Sequence, residues 1–129
     1  MRRAGGRATI QRVSRSVLIV DDHAEFRRVA RALLEAEGFA VLGEAVDGAS
    51  ALTEATRLRP TLVLLDIQLP DLDGFEVAAR LADGSDPPAV VLTSTRPASS
   101  YHLRLASSPV LGFIAKDELS GEALAALGA

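Results

Sequence analysis

Apolar residues in this chain fall into short unbroken runs, separated by longer stretches where they recur every third or fourth position. "VLIV" at 17–20, "AVLGEA" at 40–45, "TLVLLD" at 61–66, "AVVLTS" at 89–94 and "VLGFIAK" at 110–116 are strand-sized. Between the first two runs, Phe26, Val29, Ala30, Leu33 and Leu34 share one face of a helix that Gly38 closes as C-cap. A second helix follows in "DGASALTEATRLRP", with Asp47 or Ser50 as N-cap and Pro60 beyond its end. A third starts near Asp73, with Phe75, Ala78, Ala79 and Ala82 on one side. A weaker fourth covers 99–106, and a short fifth covers 120–127. No internal repeat is present.

Strands that alternated apolar with polar residues would have one wet face. These runs are nearly continuous, which predicts strands buried on both faces, as in a parallel sheet. Five β-α alternations with right-handed crossovers predict an α/β fold: a doubly wound five-stranded parallel sheet with helices on both faces. In such sheets ligands bind at the carboxyl ends of the strands, near the point where strand order reverses. The length of 129 residues suits one domain, and no apolar run nears the roughly 20 residues of a bilayer helix.

Charge divides the chain. Residues 1–16 carry five arginines and no acid, whereas the remainder has a net charge of −8. The expected organisation is a flexible basic N-terminal arm, 1–16, ahead of a domain over 17–129. The arm lacks the apolar segment of an export signal. The acidic body is a poor surface for nucleic acid. The absence of cysteine excludes disulfides and thiolate chemistry and fits the cytoplasm.

The predicted strand ends hold the candidate chemistry. The first strand stops at Asp21-Asp22, the third at Asp66, the fourth at Thr93-Ser94, and the fifth at Lys116. The second ends in "EAVDG", which offers nothing chemically coherent. Three carboxylates in one place cannot all ionise cheaply, so either some protonate or a cation joins them. Oxygen ligands with no His or Cys nearby point to a hard divalent ion, and Mg²⁺ is commonly held by one or two carboxylates. Asp66, at the centre, is then a candidate nucleophile for a phosphoryl group. Mg²⁺, the Thr93 hydroxyl and the Lys116 ammonium would each take one phosphoryl oxygen. Lys116 is the single lysine among fourteen basic residues. A compact ammonium on a flexible stem meets one oxygen in a small pocket, whereas a planar guanidinium seeks a bidentate partner.

From Ser16 onward the sequence resembles the receiver domain of two-component response regulators, most closely those that precede a helix-turn-helix domain. "VLIVDDHAEF" is similar to the family's first strand and acidic pair, and "LVLLDIQLPDLDG" to its phosphoacceptor strand and loop. "VVLTS" carries the hydroxyl residue and "GFIAKDEL" the lysine. The resemblance implies strand order 2-1-3-4-5 and a phosphoryl group passed to Asp66 from a histidine kinase or phosphotransfer protein. It implies Mg²⁺ held directly by Asp22, Asp66 and the main-chain carbonyl of Gln68, with Asp21 acting through water. Thr93 and Phe113 would form the switch, and Gln68 and Thr95 would tune phosphoryl lifetime. A downstream protein would bind the face built from the fourth helix, the fifth strand and the last helix. Phe113 lacks the hydroxyl of relatives with Tyr there. A homodimer is compatible with this reading; membrane binding, nucleic-acid binding by this chain alone and substrate turnover are not expected. The chain stops just after the last helix, as a stand-alone receiver or one trimmed from a longer protein.

Two rival classes use clustered acids on α/β sheets. A haloacid-dehalogenase-type phosphatase wants Asp-x-Asp after its first strand, where this chain has adjacent acids. A Toprim-like enzyme wants a Glu and then Asp-x-Asp, which "DLD" at 71–73 mimics. His23 and His102 are not expected to carry phosphoryl groups; His23 opens the first helix at the pocket rim, and His102 lies on the fourth. Tyr101 and Leu105 are expected to pack or to join the partner face. Removal of residues 1–16 is expected to leave phosphorylation intact, as an intact-mass measurement on the shortened chain would check.

Overall fold

Alternate residues of each strand project to opposite faces of a sheet, and that period of two sorts the core of this protein into two layers. A computed structural model describes residues 15–129. The elements are β1 (Ser16–Val20), α1 (Ala24–Ala36), β2 (Ala40–Ala45), α2 (Gly48–Leu58), β3 (Leu62–Asp66), α3 (Gly74–Ala82) and β4 (Ala89–Ser94). A 3₁₀ turn (Ala98–Ser100), α4 (His102–Ala106), β5 (Gly112–Ala115), a second 3₁₀ turn (Lys116–Glu118) and α5 (Gly121–Ala126) complete the chain. All strand pairs are parallel, in the order β2-β1-β3-β4-β5. This is the predicted doubly wound fold.

On one face Val17, Ile19, Leu62, Leu64, Val91 and Ile114 pack with Ala30 and Leu34 of α1 and Leu124 of α5. On the other, Leu18, Val20, Val63, Leu65, Val90 and Leu92 meet Ala51 and Ala55 of α2 and Val77, Ala78 and Leu81 of α3. Strands β1 and β3 are buried throughout. The edge strand β2 has only Ala45 buried. The expected face of α1 is narrower than its spacing implies, because Val29 is exposed.

Helix boundaries follow local chemistry. Asp47 caps α2 through a reciprocal pair with Ser50. Asp73 caps α3 by accepting the Phe75 N–H at 2.7 Å, and Ser120 caps α5. Gly38 adopts φ +92° just past α1, a conformation that costs glycine little. The expected helix over 99–106 is broken: the Ala98–Ser100 turn and α4 together bury no residue. Serines at 99 and 100 are weak helix formers, and so short an element depends on packing rather than propensity.

The basic arm lies outside the described residues except for its last two positions. Arg15 stacks over Phe39 at 4.2 Å. Ser16 belongs to β1, and Thr61 is tied to it by three bonds of 2.8–3.0 Å involving both hydroxyls. A shortened chain that keeps these contacts therefore begins at Arg15 rather than at residue 17.

Register sets the height of the rim. Val20 pairs with Leu65, Asp66 with Thr93, and Ser94 with Ala115. Asp21 and Asp66 thus leave their strands at one level, and Lys116 follows immediately above. Gly74 secures the loop after Asp66, because a Cβ there would lie 2.6 Å from both the Asp66 carbonyl oxygen and Ile67 Cα. Both are backbone atoms and cannot step aside. Gly74→Ala is expected to lower unfolding free energy by about 2 kcal/mol, measured by urea denaturation.

Candidate functional site

The carboxyl ends of β1, β3 and β5 bring Asp21, Asp22, Asp66 and Lys116 into one pocket. Asp21 is 0% and Asp66 2% exposed. The Lys116 ammonium lies 2.7 Å from Asp21 Oδ2 and 3.2 Å from Asp66 Oδ2, with only 10% of its side chain exposed. It also sits 4.9 Å from the centre of the Phe26 ring, an aromatic face that favours a cation. Phe26 was legible only as a core position of the first helix; its ring closes the lysine's pocket.

Each buried carboxylate has one oxygen turned to Lys116 and the other held by backbone. Asp21 Oδ1 accepts the His23 N–H at 2.8 Å, and Asp66 Oδ1 accepts the Gln68 N–H at 3.2 Å. Burial pushes the Asp66 carboxyl above its ordinary range and the Asp21 charge adds to this, against the opposing effects of Lys116 and the Gln68 N–H. Burial alone would lower Lys116, but Asp21 and Asp66 outweigh it and raise the ammonium. With all acids ionised the pocket carries two negative charges beyond what Lys116 balances. Thr93, 1% exposed and beside Asp66 in register, has a hydroxyl without a partner among the described residues. Unbalanced carboxylates and a free buried hydroxyl suit a site completed by a hard dication and by oxygen-rich groups.

Asp21, Asp22, His23 and Asp66 each offer a ligand atom within 4.8 Å of the others. The expectation of oxygen ligands without a nearby histidine is therefore corrected. The first turn of α1 brings His23 back over the acids, with Nδ1 3.0 Å from Asp21 Oδ1 and 3.1 Å from Asp22 Oδ1. Residue spacing alone did not reveal this fold-back. The end of β2 is not chemically idle either. Glu44 accepts Arg27 Nε and Arg31 Nε, both at 2.8 Å, and Arg27 donates to the Asp21 carbonyl oxygen at 2.8 Å. The Arg31 bond holds Glu44 below its ordinary range against the opposing effect of burial.

The remaining candidates surround this centre. Gln68 is exposed and bridges to Asp73 across the loop. Thr95 and Phe113 line a cleft of about 300 Å³ with Pro97, Ala115 and Glu118. The Phe113 ring packs 6.0 Å from that of Tyr101, which lies 6.0 Å from Phe75. The Tyr101 hydroxyl is 2.9 Å from Ser94 Oγ, so tyrosine chemistry stands next to the switch position rather than on it. His102 is exposed and remote from the acids.

Asp71 and Asp73 are committed elsewhere. Asp71 accepts the Gly48 and Ala49 N–H groups at 2.7 and 2.9 Å, which holds its carboxyl below the ordinary range. Asp73 pairs with Arg104 at 2.9 Å. The Asp-x-Asp of the loop thus caps helices instead of holding a metal.

Residues 17–127 match the family model described as the response regulator receiver domain. The transcription regulator BvgA of Bordetella pertussis is 43% identical over 102 residues, covering 79% of this chain and 49% of BvgA. The positive alginate biosynthesis regulatory protein of Pseudomonas aeruginosa is 39% identical over 114 residues, 87% of this chain and 45% of that protein. This chain therefore spans about half the length of these relatives. Among solved structures, the signal receiver domain of the response regulator NarL from Mycobacterium tuberculosis superposes with a TM-score of 0.75 at 33% identity, covering 90% of this chain and 98% of that one. The haloacid-dehalogenase and Toprim readings are not favoured. Among the described residues, no helix is long and apolar enough to cross a membrane.

The raised Asp66 pKa has a consequence for stability. A carboxyl whose folded pKa exceeds its unfolded one gives its full contribution below the unfolded value, and loses it as pH rises through the folded value. Without divalent ions, the protein is expected to lose stability from this group as pH climbs above the ordinary carboxylate range. Asp66→Asn should flatten that slope and raise Tm at pH 7 by a few degrees, measured by thermal melts in chelator.

Proposed function

The chain belongs to the response regulator receiver domain family, and on that premise we propose that Asp66 is its phosphoacceptor, loaded by a histidine kinase or phosphotransfer protein. A bond forms between an Asp66 carboxylate oxygen and phosphorus as the bond from phosphorus to the donor's imidazole breaks. What carries this reading is the pairing of one buried ammonium with both Asp21 and Asp66. Lys116 already lies within reach of the oxygen that would bear the phosphoryl group. It needs only a small movement to donate to a phosphoryl oxygen, and the free Thr93 hydroxyl supplies a second donor.

Asp22, Asp66 and the Gln68 carbonyl would hold Mg²⁺, with Asp21 acting through water. When bound, the ion supplies positive charge for the carboxylates and the phosphoryl oxygens alike. The acids, in turn, keep Lys116 protonated and oriented. The chain acts as a covalent signal carrier that assists its own loading and clearance. Gln68 and Thr95 flank the phosphoryl position and set how readily water reaches it.

Output follows from movement of Thr93 toward the phosphoryl group, which frees space for the Phe113 ring and biases an existing equilibrium. The responsive face is α4, β5 and α5. Leu103 on α4 is 75% exposed and Leu111 is also exposed, which suits binding of a downstream protein or a second copy of the chain.

Incubation with acetyl phosphate and Mg²⁺ is expected to add the mass of one phosphoryl group per chain, with no further turnover. Asp66→Asn should abolish the adduct, and a persistent adduct would place the acceptor elsewhere. Lys116→Arg keeps the charge and should still slow loading roughly tenfold or more, read by time-resolved intact mass.

A further inference from the structure

We propose that His23 is a nitrogen ligand at the acidic centre, which widens its metal choice from Mg²⁺ to borderline transition-metal dications. The inference rests on the metal-dependent reading of the pocket given above. Its starting point is the position of Nδ1, 3.0 Å from Asp21 Oδ1 and 3.1 Å from Asp22 Oδ1. Two ligands about 2.1 Å from one ion and at right angles to each other stand about 3 Å apart. The 3.1 Å separation from Asp22 Oδ1 therefore matches that between neighbouring ligands around a single cation.

The contact with Asp21 is a hydrogen bond while Nδ1 bears the ring hydrogen; in the other neutral tautomer Nδ1 carries a lone pair that a cation can take. Nδ1 can carry one proton, yet it faces two carboxylate oxygens at nearly equal distance. The Asp21 oxygen concerned already accepts the main-chain N–H of His23 itself at 2.8 Å. Lys116 meanwhile engages the other oxygens of Asp21 and Asp66, on the opposite side of the acids. His23 Nδ1 thus stands beside Asp22 Oδ1 in the same cluster as Asp66, and these are the two carboxylates proposed to hold the ion directly. No side-chain capping bond holds the ring in another role, and 65% of it is exposed.

Ligand type decides the consequence. Carboxylate and carbonyl oxygens suit Mg²⁺ and Mn²⁺, whereas imidazole suits Ni²⁺ and Zn²⁺. With His23 engaged, the centre gains affinity for the later metals, while Mg²⁺ continues to depend on the carboxylates.

Calorimetric titration of the full chain with Mg²⁺ and Ni²⁺ tests this directly. His23→Ala keeps the main-chain N–H that orients Asp21, and it alters an exposed side chain, so the fold is retained. The ratio of Ni²⁺ to Mg²⁺ affinity is expected to fall about tenfold in His23→Ala. It should stay unchanged in His102→Ala, which alters the other of the two histidines. An unchanged ratio in His23→Ala, or an equal fall in His102→Ala, overturns the inference and leaves the Mg²⁺ site standing. If the wild type takes up neither metal, the metal reading of the pocket fails and this inference fails with it.

Discussion

One ammonium shared between two buried carboxylates governs how this protein is built. Lys116 reaches Asp21 and Asp66 from the end of β5, two places from β3 and three from β1 across the sheet. Its single charge cannot balance three acids, and burial makes the deficit expensive. The pocket is thereby left short of positive charge and long on hydrogen-bond acceptors. Such a centre suits a dication, and a group that lets Lys116 and Thr93 donate. The same deficit accounts for lysine in a chain that otherwise uses arginine. A guanidinium would need more room than Asp21, Asp66 and the Phe26 ring leave.

The other acids near the rim are neutralised by local partners, which keeps the deficit confined. Glu44 is taken by Arg27 and Arg31, and Arg27 in turn fixes the Asp21 carbonyl. Asp47, Asp71 and Asp73 each satisfy helix N–H groups, where a negative charge is favoured by the exposed amide ends. Asp71 ties the loop after Asp66 to the start of α2, and Asp73 joins the same loop to Arg104 on α4. The loop after Asp66 is thus anchored at both flanks by carboxylates that stand outside the acidic cluster.

From the rim, physical contact runs toward the proposed output face. Thr93 and Ser94 end β4; Ser94 bonds Tyr101, and the Tyr101 ring packs between Phe75 and Phe113. Arg104 lies over Phe75 at 4.2 Å while pairing with Asp73. A displacement at the end of β4 therefore meets a continuous aromatic layer before it reaches α4. The elements beyond that layer are short and weakly buried, which makes them the least costly part of the fold to rearrange.

Much of this was legible in the sequence because it depends on local periodicity and on where strands end. Runs such as "VLIV" and "LVLL" could serve only as doubly buried strands, and Asp47, Asp73 and Gly38 marked helix limits by their intrinsic preferences. Once the strands were assigned, parallel pairing carried Asp21, Asp66, Thr93 and Lys116 to one edge. Tertiary structure decided what depends on side chains meeting across elements. Nothing in residue order says that His23 folds back over the acids, that Glu44 braces Arg27 beneath Asp21, or that Tyr101 rather than Phe113 presents a hydroxyl to β4. The break in the helix near residue 100 and the exposure of Val29 belong to the same class, since both follow from what packs against them. Spacing along a chain encodes direction and period, whereas distance between non-neighbouring side chains exists only after the layers have closed.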